Sequence, residues 1–426
     1  MSALLKFIEN SVSSFHTVEN SKQKLLAKGF VELDEKKEFH LQPKGKYFVI
    51  RDGGALIAFI MPSLKKIDKS FILLSHTDSP TFRVKPEGEY QKENMLFWGL
   101  ETYGSPIYST WLNRDLGIAG RIYYEKDKMI KSELVDIQDA PVIISQLPIH
   151  IDRTVNSEGV KIKAQEHLNA LVNLSEKKFA KTTYLETLLK KRVNYQRLLN
   201  HELFLYPIDP PRFLGEGKDL FSAPRIDNLV SVYASVEALL ERSKKASPSH
   251  LNMIYLASHE EIGSRTISGM DSPFFKNIFE RAYLQVDPSF ERMQACLANS
   301  LALSIDGSHA LDPKSKDRFE PRHTPVLGRG VAIKIDSSAC YAYSSEIIAK
   351  IKALPKNSQI KIQNYLKKGD ERQGSTIGPI FAKKMGIKTL DLGLAQLSMH
   401  SIREVASCRD YDQLVKLLIL VLTDQL

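Results

Sequence analysis

Cysteine is scarce: three residues, Cys296, Cys340 and Cys408, lie far apart in a chain of 426. No C-x-x-C pair occurs, which excludes a thiolate zinc cluster and a disulfide framework and fits a reducing, cytoplasmic compartment. Long apolar runs are missing too. Leu417–Leu422 is apolar throughout, but far short of the ~20 residues that span a bilayer, so a core-packed terminal helix is expected and no membrane partner. The net charge of +9 comes without an arginine-rich tract or an RNA-binding signature, which removes the main argument for a nucleic-acid partner. Short basic clusters such as Lys177-Lys178 and Lys190-Lys191-Arg192 read as solvated faces. No internal repeat or low-complexity linker is present. The N-terminal pattern Leu4-Leu5-x-Phe7-Ile8 is interrupted by Lys6 and Glu9, which makes it an amphipathic helix rather than a signal peptide.

What remains is an ordinary globular composition, 43% hydrophobic, in a chain too long for one compact core. A helix is expected near residues 3–28, then strands at Tyr47–Arg51, Ala55–Met61 and Phe71–Leu74. From 81 to 209 the texture changes. Ile118–Tyr124 and Val142–Ile151 look like strands of an antiparallel sheet, followed by a charged helix over roughly Thr182–Leu199. After Phe221 an α/β rhythm returns. Asp227-Asn228 opens a helix with an apolar stripe at Leu229, Val230, Tyr233, Val236 and Leu240. Strands are expected at Met253–Ala257, Leu301–Ile305 and Thr389–Leu392, and a helix from Ser398 through Ile402 and Val405. This pattern predicts an α/β catalytic domain with a mixed sheet, made of residues 1–80 and 210–426, and an inserted, mainly antiparallel β domain over 81–209.

The chemistry gathers where apolar runs end. Met253–Ala257 runs into Glu260 and Glu261. Phe71–Leu74 runs into His76 and Asp78, and Leu301–Ile305 into Asp306. Asp227 opens one helix and His400 lies near another. Taken singly each has a plain explanation: a packed histidine, a helix cap at Asp227, a turn at Asp306-Gly307, a helix start at the glutamates. Their recurrence at strand ends is what independent explanations do not require. Unpaired buried charge is costly, and imidazoles with carboxylates but no thiolate suit zinc, manganese or cobalt. There are enough groups for two divalent ions. Asp78, two residues after His76, lies on the same strand face and is placed to orient the imidazole.

These residues sit in longer motifs: Ser75-His76-Thr77-Asp78-Ser79-Pro80, Pro224-Arg225-Ile226-Asp227-Asn228-Leu229, His259-Glu260-Glu261-Ile262-Gly263-Ser264, Ser304-Ile305-Asp306-Gly307-Ser308-His309-Ala310, Gly374-Ser375-Thr376-Ile377-Gly378-Pro379 and Leu397-Ser398-Met399-His400-Ser401-Ile402-Arg403-Glu404. In them the chain resembles the M18 metallo-aminopeptidases, the aspartyl aminopeptidase group, nearly from end to end. The resemblance implies a phosphorylase/hydrolase-like catalytic domain with helices on both faces of its sheet, as in zinc peptidases, and an insertion that serves dimerisation. It implies that His76 and Asp306 bind one metal and Glu261 and His400 another, with Asp227 between them and zinc the expected ion. Glu260 would be the general base, Asp78 the partner of His76, and His150 a group offered to a neighbouring subunit. His309, Lys334 and Tyr341 would line the substrate pocket, where a lysine favours an acidic N-terminal residue of a peptide. Assembly into dimers and a tetrahedral dodecamer is implied as well. The chain departs from the family's usual pattern at Ser258-His259, Asp312, Tyr103-Gly104-Ser105-Pro106 and Asn113, none of them a proposed metal ligand. The rival readings are an aminopeptidase for neutral, leucine-like residues and a non-catalytic scaffold that keeps the fold.

Overall fold

The computed structural model describes residues 1–175, 183–355, 358–371 and 374–425. The chain divides into two compact units. One comprises Met1–Asp78, Pro211–Met399 and Glu404–Leu426; the other comprises Ser79–Pro210 with His400–Arg403.

The first unit is built on a nine-stranded mixed sheet. Its centre is four parallel strands in the order His250–Ala257, Lys69–His76, Leu301–Ile305, Lys388–Gly393. Strands buried on both sides read as continuous apolar runs, and alternate residues feed two separate cores. Phe71 and Leu73 face one helical layer, with the helices Ser2–Asn10, Ser14–Leu26, Ile226–Arg242 and Cys408–Leu422. Ile72 and Leu74 face the other, with Phe274–Leu284, Phe290–Asn299 and Ile377–Met385. Each such buried side chain contributes about 1.5–3 kcal/mol relative to exposure. The α/β architecture with helices on both faces is therefore as expected. The C-terminal helix Cys408–Leu422 buries Leu414, Leu417, Leu418 and Val421 and is capped by the Ser407 hydroxyl. Among the described residues no helix is long and apolar enough to cross a membrane.

A five-stranded sheet in the same unit joins Leu220–Ala223 to Glu404–Ser407. It sets the start of the Ile226–Arg242 helix, which buries Leu229, Val230, Tyr233 and Val236, with Leu239 rather than Leu240 fully covered.

The second unit is a six-stranded antiparallel sheet, in the order Met129–Val142, Leu116–Lys126, Arg197–Pro207, Thr81–Lys92, Met95–Tyr103, Asn169–Leu174. One face carries an apolar core of Phe82, Trp98, Ile118, Leu203 and Leu205, under the short helix Tyr184–Lys190.

Four local expectations are corrected. The N-terminal helix is two helices, because the Ser13 hydroxyl caps a new start by accepting from the His16 amide. The strand expected over Val142–Ile151 ends at Val142; Pro148 then opens a turn whose carbonyl accepts from Ile151 and Asp152. The helix expected over 182–199 begins at Thr182, outside the described residues, as does Lys177-Lys178; within them only Tyr184–Lys190 is helical and Arg197 starts a strand. The segment from Ser398 is a turn, since Ser398 (φ 58°) and His400 (φ 66°) are left-handed, which ends any right-handed helix. Val405 belongs to the strand Glu404–Ser407.

Candidate metal centre

The parallel register puts the strand ends side by side: Ala257 pairs with His76, and Ser304 with Leu74. In open α/β sheets this carboxyl edge is where ligands bind. His76 is buried, with its two ring nitrogens facing different acids. Nε2 lies 3.3 Å from Asp227 Oδ1 and 3.6 Å from Asp306 Oδ1. Nδ1 lies 3.1 Å from the Asp78 carbonyl and 3.5 Å from its Oδ1.

Asp78 does more than orient the imidazole. Its Oδ1 accepts from the Glu260 amide and its Oδ2 from the Glu261 amide, each at 3.2 Å. One carboxylate thus ties the histidine to the backbone of the glutamate pair. The glutamates lie in a single 3-10 turn, Glu260–Ile262, between the left-handed residues His259 and Gly263. His259 is held there through Nδ1, 2.8 Å from Thr266 Oγ1. A left-handed non-glycine residue carries strain that its surroundings must hold.

Asp227 opens the Ile226–Arg242 helix but does not cap it in the usual way, since Asp227 and Asn228 have non-helical dihedrals and are joined by a cis peptide. Its amide donates to Glu404 Oε2 at 3.0 Å. Asp306 follows the strand Leu301–Ile305, and its amide donates to Leu392 at 3.0 Å. That approach needs Gly393, where a Cβ would sit 1.8 Å from the Asp306 carbonyl oxygen. Lys334, 2% exposed, places Nζ 3.4 Å from Asp306 Oδ2 and 4.9 Å from the Tyr341 ring centre.

The electrostatics are those of crowded acids. Burial raises the Glu260 carboxyl to about 8; nearby His76 opposes this, while Asp306, Asp78 and Asp227 add to it. Burial likewise holds Glu261 well above the carboxylate range, helped by Asp227 and Glu260. For His76 burial disfavours the imidazolium, but Asp227, Asp306 and Asp78 outweigh it and push the ring well above its ordinary value. A divalent cation relieves this repulsion. One ligand atom each from His76, Asp227 and Glu261 lie within 4.8 Å of one another, a nitrogen and oxygen set suited to zinc.

The remaining expected residues lie apart from this cluster or in the second unit. Tyr341 is buried and its ring lies 6.1 Å from Tyr365; exposed His309 packs edge-on to Tyr365 at 5.8 Å. His400 and His150 belong to the second unit. His400 Nδ1 is 3.1 Å from the Ser105 carbonyl, and His150 is exposed on the turn after Pro148. Three features escaped the sequence reading: the double acceptance by Asp78, the hold of Glu404 on Asp227, and the Lys334–Asp306 pair. Glu404 alone left a trace, at the end of a motif.

A profile of the family described as "Aminopeptidase I zinc metalloprotease (M18)" matches residues 7–419. The chain belongs to the M18 family of aminopeptidases. A "Probable M18 family aminopeptidase 2" of Clostridium acetobutylicum is 36% identical over 414 residues, covering 96% of this chain and 95% of that protein. One of the same description from Stutzerimonas stutzeri is 33% identical over 422 residues, 97% and 96% of the two. Among solved structures, "Cryo-EM structure of the Ape4 and Nbr1 complex" aligns with TM-score 0.94 and 29% identity, over 100% of this chain and 85% of that one. "Structure of S. cerevesiae mApe1 dodecamer" aligns with TM-score 0.85 and 26% identity, over 98% and 95%. As an M18 member this chain is a metallo-aminopeptidase, a peptide hydrolase that depends on a divalent metal.

Proposed function

We propose that this M18 enzyme is a two-metal aminopeptidase that removes acidic residues from peptide N-termini. The observation that supports it most is the convergence of His76, Asp227 and Glu261 within 4.8 Å among carboxyl groups that burial has raised. His76 and Asp306 would hold one zinc ion and Glu261 and His400 the other, with Asp227 shared between them. When bound, such ions acidify water and polarise a carbonyl. Glu260 takes the proton from the attacking water and delivers it to the leaving amine, a task for a buried acid that is not itself a ligand. Its carboxyl is raised by burial and by Asp306, Asp78 and Asp227, and a cation among those acids would bring it back toward the range of a working base. Asp78 keeps the His76 ring and the Glu260–Glu261 backbone in one register.

The substrate pocket is assigned to Lys334, Tyr341 and His309, the buried ammonium of Lys334 meeting the side-chain carboxylate of an N-terminal Asp or Glu. Residues 1–80 and 210–426 form the catalytic domain and 81–209 the dimerisation domain, from which His150 reaches a neighbour's site in an oligomer as large as a dodecamer. The dodecamer of the related S. cerevesiae mApe1 supports that assembly. The three free cysteines favour the cytoplasm as its workplace.

Turnover of Asp-, Glu- and Leu-anilides by the metal-reconstituted enzyme tests the specificity. We expect kcat/KM to be highest for an acidic residue, and Lys334→Ala to lower it about 30-fold or more on Asp, the cost of removing one partner of a buried charge pair. Best cleavage of Leu, with Asp turnover unmoved by Lys334→Ala, rejects the acidic preference in favour of neutral N-termini.

A further inference from the structure

Behind the assigned pocket stands a second acid that neither metal binding nor proton transfer uses. Asp391 is fully buried in the strand Lys388–Gly393. Its neighbours Leu390 and Leu392 enter one apolar core, so Asp391 points to the opposite face, where an aspartate inside a sheet needs partners.

It has several. Oδ2 accepts from the Ala342 amide at 2.5 Å, and its own amide donates to the Ala342 carbonyl at 2.9 Å. The aspartate therefore clamps both backbone groups of the residue after Tyr341. The carboxylate rests on the first turn of the helix Ile377–Met385: a Cβ at Gly378 would come within 2.2 Å of Oδ2. This explains the second glycine of Gly374-Ser375-Thr376-Ile377-Gly378-Pro379, and a helix start favours a negative charge.

The register supplies the last piece. Val331–Lys334 runs antiparallel to Lys388–Gly393, with Ala332 opposite Gly393 and Ile333 opposite Leu392. One further step sets Lys334 opposite Asp391, and directly opposed residues project to the same face. Lys334 thus has Asp306 at its tip, the Tyr341 ring beneath it and Asp391 as its cross-strand neighbour. Burial pushes the Asp391 carboxyl up to about 6, and the charge of Lys334 works against that rise.

We propose that Asp391 is a positioning residue for substrate selection: it fixes Tyr341-Ala342 and sets the Lys334 ammonium so that the pocket discriminates between N-terminal side chains. This rests on the assignment of Lys334 to the substrate pocket. Lys334 already rests on Asp306 and over the Tyr341 ring; a second anion across the strands, fixed to the backbone of Ala342, sets where the ammonium sits between them.

The test uses the metal-reconstituted full chain with Asp-, Glu- and Leu-anilides, comparing wild type, Asp391→Asn, Lys334→Met and the double variant, with bound metal counted by mass spectrometry. Asp391→Asn keeps the shape and an oxygen for the Ala342 amide but loses the charge. We expect the ratio of kcat/KM for Asp over Leu to fall about 10- to 100-fold, mostly through KM for Asp, with metal content unchanged. We also expect Asp391→Asn to add little in the Lys334→Met background, as coupled neighbours do. Gly378→Ala, which crowds the carboxylate without removing it, should shift the ratio the same way, and it decides the matter if Asp391→Asn does not fold. Equal losses on both substrates, lost metal, or multiplicative effects of the two substitutions overturn the proposal. The wild-type preference is read separately: an enzyme that favours Leu rejects the acidic specificity, while the Asp391–Lys334 coupling still stands or falls on the double-variant cycle.

Discussion

The two units bury polar groups in opposite ways. In the second unit they are spread out, and several half-buried ones are paired. Arg121 holds Glu202 at 2.6 Å, Trp98 donates to Glu89 at 2.8 Å, and Glu89 also accepts from the amides that begin the Tyr184–Lys190 helix. The core beneath them is apolar. In the first unit Asp78, Asp227, Glu260, Glu261 and Asp306 crowd around one histidine, and burial drives both glutamates upward. Dispersed polar groups that find partners cost little and specify a shape. Concentrated acids cost stability and persist where a cation and a reaction need them.

The sharpest way to break this contrast is inside the glutamate pair. Glu260→Gln should lower kcat by about 100- to 10,000-fold, the worth of a general base, with the metal still bound. Glu261→Gln should abolish turnover and also weaken metal binding, read by mass spectrometry and by loss of the thermal stabilisation that zinc gives. If both variants keep the metal equally, the two acids are not divided as assigned.

A smaller effect belongs to the second unit. His201, buried in the Arg197–Pro207 strand, is brought down to about 4 by burial and then by nearby Arg83. Its folded pKa lies below the unfolded value of about 6.5, so below that pH the unfolded chain binds more protons. Stability should be unaffected above pH 6.5 and should fall between about 6.5 and 4, by at most about 3 kcal/mol. Both tryptophans of the chain, Trp98 and Trp111, lie in this unit, so their fluorescence in urea follows it alone. His201→Asn should flatten the profile; an unchanged slope rejects the assignment.

The smallest effect is expected at its surface. Arg197 and Glu125 pair at 2.9 Å, with the arginine 71% exposed, and Arg197→Ala should change the unfolding free energy read from urea titration by less than about 0.5 kcal/mol. A larger loss would mean that paired surface charge carries more of this unit than its apolar core allows.

Much of the architecture was legible because buried parallel strands write themselves as unbroken apolar runs, and those runs end at His76, Glu260 and Asp306. What local pattern could not carry was anything fixed by distant chain. Asp78 grips amides 182 and 183 residues away, and Glu404 reaches back 177 residues to Asp227. Neither partner is visible in its own neighbourhood. The misread helix after Ser398 had a different cause. Ile402 and Val405 keep a helical spacing, but Ile402 packs in the core of the second unit and Val405 lies in a strand of the first, and two left-handed residues break the run. The pairing of Lys334 with Asp306 was hidden as well, because the short apolar stretch Val331–Ile333 does not show what waits beyond it.

The strand Lys69–His76 has as its two sheet neighbours His250–Ala257 and Leu301–Ile305, both made long after it. At roughly 5–20 residues per second of synthesis, Phe71-Ile72-Leu73-Leu74 leaves the ribosome about 10–35 s before either partner exists. An apolar strand with both edges open is prone to pair with other chains. The geometry that gathers His76, Glu261 and Asp306 at one sheet edge thus leaves the nascent chain, for that interval, with an aggregation-prone segment uncovered.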